Sequence, residues 1–340
     1  MFLYYINSKY INYSLPFTNQ MYNNIGFLEP GIEIETLERD ETDNLSDIDS
    51  DELDSEKVYK EDILLYATLN SEELGHIEFH TIDKINNLNT TDNANYPKKE
   101  TIDFFVHHDI LIVDTMVSSA YLKIGTKHYV AVSGFHGNIG IYNCFRYNQF
   151  DPDIFIEAHD TTINHLTTID NLLVTGSDDM HVKVWDLEVQ KPAVTQKYDV
   201  MVKKVAVQSS NNIVVSSDTS IIVGNNKIEC SRNLENLKLR ESYLYRSDVN
   251  GYLSIYDIRK MDNVVSENKI HEGALTDFDF YKDSIVSVGL DGKIILLDHK
   301  LNVMKSEKHS KELFAVAVNR DQDLCCYGGL FDSLKLFDIK

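Results

Sequence analysis

Leu172-Leu-Val-Thr-Gly-Ser-Asp-Asp-Met-His-Val-Lys-Val-Trp-Asp186 decides how the rest of the chain is read. Residues 172–175 are an apolar run suited to a buried strand, and Gly176 to Asp179 carry the glycine, serine and aspartates of a turn. From His181 to Trp185 polar and apolar residues alternate, as they do along a strand with unlike faces. Around this hairpin four side chains fall at fixed intervals: His159, Thr175, Asp179 four residues on, and Trp185 six further. Asp179 can accept from His159, His159 can reach the Thr175 hydroxyl, and the hydroxyl can meet the indole N–H. Each buried polar group then satisfies the next, for about 0.5–1.5 kcal/mol per bond. Such a unit is one blade of a β-propeller, and it speaks to fold rather than to a reaction.

The same pairing recurs. Apolar strand pairs stand at 129–133 and 139–142, 213–216 and 220–223, 243–246 and 253–256, 284–288 and 293–297, and 324–327 and 334–337. The Trp-Asp position is held in turn by Tyr142-Asn143, Trp185-Asp186, Tyr256-Asp257, Leu297-Asp298 and Phe337-Asp338, at steps of 43, 71, 41 and 40. Steps of about 40–45 match the WD40 repeat; the step of 71 holds a degenerate unit near 213–229 whose blade is expected to be abbreviated. A further pair at 63–68 and 76–81, followed by 104–107, brings the total to about seven. The sequence therefore predicts an all-β chain, a single seven-bladed WD40 β-propeller with a disordered acidic N-terminal segment. The expected boundaries are 1–30 for an N-terminal strand and extension, 31–60 for an acidic disordered linker, and 61–340 for the propeller. Closure is expected to borrow a strand from Phe2 to Ile6, which could equally be the innermost strand of the first blade. His271, Ser287 and Asp291 repeat the polar set with Leu297 in place of the indole, whereas His136 and Asn250 replace the turn aspartate in two other blades.

The 340 residues are 43% hydrophobic and carry a formal charge of −22, which argues against phosphate-bearing nucleic acid or an anionic membrane as the main partner and towards basic protein surfaces. Half of that excess lies in one run: residues 33–62 hold 14 acidic residues against Arg39, Lys57 and Lys60, a net of −11. Such a run buries too little apolar surface to offset its ordering entropy. A second segment, 85–100, is rich in Asn and Thr and reads as a surface insertion. The four cysteines form no CxxC pair and read as free thiols. The opening Met1-Phe-Leu-Tyr-Tyr-Ile6 is too short for a signal peptide, and no apolar run approaches the length that spans a bilayer, so a soluble intracellular protein is expected.

Candidate chemistry is sparse. His107-His108-Asp109 could suggest a metal, but strand neighbours face opposite ways, so both rings share an ion only across a bulge; a blade-linking segment is expected instead. His76, Glu78 and His80 make an unconvincing ligand set. Gly134 to Gly140 lacks the Gly-Lys-Ser/Thr of a phosphate loop and reads as a turn. Lys98-Lys99 and Lys203-Lys204 read as ordinary surface lysines. No catalytic residue, metal or cofactor is expected. Ser46 and Ser50 each precede acidic residues, a context that acid-directed kinases favour, and Asp47, Asp49, Asp51 and Glu52 are the candidate partner-binding residues of an electrostatic lure.

Beyond the generic repeat, the chain from Asp62 to Asp186 resembles the periodic tryptophan protein 1 family. The resemblance is carried by Ile63-Leu-Leu-Tyr-Ala-Thr68 after the acidic run, His76-Ile-Glu-Phe-His80, Phe105-Val-His-His-Asp-Ile-Leu111, His128-Tyr-Val-Ala-Val-Ser133 and Ile139-Gly-Ile-Tyr142. The chain departs from that family in keeping one tryptophan, Trp185, with Tyr142, Tyr256, Leu297 and Phe337 standing in elsewhere. What the resemblance implies is a nuclear, nucleolar scaffold that assists large-subunit ribosomal RNA processing by docking basic proteins of pre-ribosomal particles, as a monomeric propeller within a larger complex. Histones are a further implied partner, through chromatin and ribosomal-gene transcription. A substrate-recruiting subunit of a ubiquitin ligase is the alternative from a different class.

Overall fold

The computed structural model describes residues 21–38, 57–71, 74–84, 102–112, 114–146, 149–209, 212–260, 264–330 and 333–339. All regular elements among them are strands, arranged as seven antiparallel sheets in chain order. Blade one joins Met21–Phe27, Ile63–Asn70, Gly75–Lys84 and Ile102–Ile112. Blades two to six span 118–157, 163–197, 204–229, 234–269 and 275–308, with four strands each, and blade seven spans 313–337 with three. The seven sheets form the WD40 β-propeller that the Trp-Asp hairpin and its period predict. Blade four is the abbreviated one, with strands of four residues at Ser220–Val223 and Asn226–Glu229.

Propeller sheets stack face to face, so each alternating strand must bury both of its faces. Seven hydrophobic clusters result, one at each blade interface. Trp185 and Leu173 face back into blade two beside Ile139 and Ile141, while Val182 and Val184 face forward onto Val205 and Val215 of blade four. Cys325 and Cys326 separate likewise, the first towards blade six and the second towards blade one. Leu297 is fully buried where an indole would stand, and burying such a side chain stabilises by about 1.5–3 kcal/mol.

The ring closes by packing between its ends. Tyr22, Leu65 and Leu69 of blade one meet Leu324, Cys326 and Leu334 of blade seven in a shared cluster. The innermost strand of blade one is Met21–Phe27, paired with Ile63–Asn70; residues 2–6, the expected closing strand, lie outside the described residues. The segment expected to be a disordered linker is ordered at both ends, because those ends carry apolar residues and lysine partners. Ile32, Leu37 and Val58 are buried against blades one and two, Ile34 bridges Val58, and Glu33 and Glu38 pair with Lys60 and Lys127 at 2.8 Å each. Residues 39–56 and 85–100 lie outside the described residues.

Residues 102–112 also differ from the expected blade linker, being the outermost strand of blade one. Phe79 opposes His108 but His80 opposes Val106, which leaves His107 as the extra residue of a β-bulge.

Candidate functional site

Polar chains within the blades fix the frame. In blade three His159 Nδ1 donates to Asp179 Oδ2 at 2.8 Å, the Thr175 hydroxyl meets His159 Nε2 at 2.6 Å, and Trp185 Nε1 donates to Thr175 Oγ1 at 3.1 Å. Burial keeps His159 below its usual pKa, hence neutral, as its acceptor nitrogen requires. In blade six His271 Nδ1 reaches Asp291 Oδ1 at 2.8 Å and its Nε2 the Ser287 hydroxyl at 2.9 Å. Burial alone would raise Asp291, but the His271 hydrogen bond and the backbone N–H groups of Glu272 and Lys293 hold it at about 2.

Other blades improvise. In blade five Arg246 occupies the hydroxyl position and is 1% exposed. It donates to the carbonyl of Arg232, whose guanidinium bridges Asp248 and Glu267. In blade seven the Tyr327 hydroxyl donates to His309 Nε2 at 2.9 Å, and in blade one Tyr22 and His80 both donate to Glu78 at 3.0 Å. These sets were not visible as one pattern because Arg, Tyr and Glu replace the repeat's own residues; a histidine four residues before the Leu313–Asn319 strand is the signal that would have found His309.

The bulge brings His107 Nδ1 within 2.8 Å of His108 Nδ1, the geometry that strand alternation forbids. His108 Nε2 donates to the Cys144 carbonyl at 2.8 Å and its ring stacks on Phe79. Burial first, and the neighbouring His107 second, push His108 down to about 3. His76, by contrast, approaches Asp109 at 3.5 Å. Among the described residues no group of three or more His, Cys, Asp or Glu is placed to hold a metal. All four cysteines are free, and burial raises the thiols of Cys144, Cys325 and Cys326, which makes them poor nucleophiles. No helix is long and apolar enough to cross a membrane among the described residues. Ser46, Asp47, Asp49, Ser50, Asp51, Glu52 and Lys98-Lys99 lie outside them.

A concavity of about 1000 Å³ forms the central channel, walled by the inner strands. Inner strands do not pair with one another, so their channel-side N–H groups need side-chain partners. Asp277 and Asp279 of blade six accept from the Val316 and Val318 amides of blade seven at 3.0 and 2.9 Å, and His165 Nδ1 accepts from the Val205 amide at 3.3 Å. Lys238 lies 3.2 Å from Asp277, which with Asp279 raises its pKa against the opposing effect of burial. Lys203 and Lys204 are part of this wall, a correction to their reading as ordinary surface lysines. Lys203 pairs with Asp178 at 2.6 Å, and burial lowers Lys204.

The channel wall thus carries charges of both signs. Comparison with known proteins bears on the fold. The WD40 β-propeller domain of Doa1 superposes with a TM-score of 0.63 at 14% identity, covering 81% of this chain and 90% of that one. The Restriction of telomere capping protein 1 of Kluyveromyces lactis is 24% identical over 192 residues, 50% of this chain. Those residues span 13% of that relative's length. No protein-family model matches the sequence. The chain has the WD40 β-propeller fold, and a fold by itself does not fix a function.

Proposed function

We propose that this propeller is a non-catalytic docking platform for basic proteins of pre-ribosomal particles, assisting large-subunit ribosomal RNA processing in the nucleolus. The observation that carries the reading is a charge of −22 on a chain whose ring has seven interfaces, each closed by a buried cluster. A stiff frame presents loops at little ordering cost, and negative charge selects and steers basic partners. The strands that carry the periodic tryptophan protein 1 resemblance, Ile63–Asn70 and Gly75–Lys84, form the centre of blade one. Histones, which are basic as well, share the required chemistry and give the second reading.

Affinity capture of the full chain tests the reading. Large-subunit precursor particles should be recovered and should be released as salt rises, because screening weakens such contacts. Nucleosomes would favour the second reading. Cullin components, or partners held equally at low and high salt, would overturn both.

A further inference from the structure

One carboxyl in the channel wall is unused by the fold. Glu235, on the inner strand of blade five, has its Oε2 buried with no hydrogen-bond partner. Among the described residues three charged groups act on it electrostatically: Lys204 from the inner strand of blade four, Asp248 from blade five, and Asp218 from the turn of blade four. Asp248 is already satisfied by Arg232 and by the amides of Asn250 and Tyr252. Lys204 acts on Glu235 through space. Asp218 lines the same cavity, as do the rim residues Val249 and Asn250.

The other channel lysines are engaged, Lys203 by Asp178 and Lys238 by Asp277. Among the described residues two carboxyls, those of Glu235 and Asp218, therefore share one lysine, Lys204, in a chain of strongly negative charge. An orphaned buried acceptor costs free energy that a ligand donor restores. We propose that the channel rim at blades four and five receives a cationic side chain of a basic partner, a lysine ammonium or arginine guanidinium, with Glu235 as its acceptor and Asp218 beside it. The inference rests on the docking role above and names the site that role uses.

Burial raises Glu235 to about 8 despite Lys204, so the empty site is mostly protonated at pH 7. A cation binds the ionised form, and binding must release the proton. Affinity then rises about tenfold from pH 7 to 9. Loss of charge on Lys204, which burial already disfavours, acts in the same direction.

The test is calorimetric titration of the full chain with acetyl-Gly-Arg-Gly-Arg-Gly-amide, and with its citrulline counterpart, at pH 7 and 9. The arginine peptide should bind, the citrulline peptide should bind at least tenfold more weakly, and Glu235→Gln should cost about tenfold at pH 9 and remove most of the pH dependence, leaving the part that Lys204 contributes. Lys204→Gln should tighten binding, since it removes a competing cation. Asp218→Asn, which should weaken binding, serves as the second variant if Glu235→Gln melts early. Wild-type binding that Glu235→Gln leaves unchanged, or that Lys204→Gln weakens, overturns this inference and leaves the docking role standing. A wild-type chain that ignores the arginine peptide at low salt overturns both.

Discussion

Stability should peak near pH 6.5, because buried groups of opposite kind titrate on either side of it. Glu235 sits at about 8 in the fold against an ordinary 4.5. As pH rises from about 4.5 to 8 the unfolded chain releases a proton that the fold retains, so stability falls by about 1.4 kcal/mol per pH unit. His108 sits at about 3 against an ordinary 6.5, and His165, enclosed in the channel wall, is also held well below its usual value by burial. As pH drops below 6.5 the unfolded chain gains protons that these two rings refuse, each costing up to about 1.4 kcal/mol per unit. Glu235 offsets about half of their sum. Because the unfolded rings are half protonated at pH 6.5, the net loss is about 1 kcal/mol on going from pH 6.5 to either 5 or 8. Denaturant melts at half-unit pH steps measure the curve. Glu235→Gln should flatten the alkaline limb and roughly double the slope of the acid limb; His108→Phe should flatten the acid limb. An unchanged acid slope in Glu235→Gln would refute the assignment of opposing groups.

Three further outcomes follow from the blades. Trp185→Ala removes a side chain that is 4% exposed and the donor to Thr175, and should cost about 3–5 kcal/mol by denaturant unfolding; a change near zero would mean that blade three does not depend on the indole. Asp291→Asn should cost about 2 kcal/mol at pH 7, with the difference from wild type shrinking as pH falls from about 4 through 2, since the carboxyl is held at about 2 in the fold. Gly251 has φ +85° and a Cβ there would come within 2.0 Å of the His271 carbonyl oxygen, so Gly251→Ala should cost more than about 2 kcal/mol; equal melting temperatures would contradict it.

The middle strands of most blades were legible because they bury both faces and, in five blades, end near a large apolar residue followed by Asp or Asn. Their neighbours were less so. Met21–Phe27 contains three asparagines and glycines among seven residues, a poor strand composition that the ring overrides by covering Tyr22 and pairing the backbone with Ile63–Asn70. Lys191–Lys197 is exposed throughout and carries no hydrophobic alternation. The channel wall was invisible for a different reason: Lys204, Glu235, Lys238 and Asp277 come from three blades and converge only when the ring closes. The bulge at His107 was equally unreadable, since one inserted residue changes the facing of a strand without changing its composition.

Ribosomal RNA precursors measured after depletion of the protein test the functional account most directly. Precursors of the large-subunit rRNAs should accumulate while small-subunit rRNA matures at its normal rate, and the wild-type chain should restore the balance. An unchanged precursor profile in depleted cells would contradict the account.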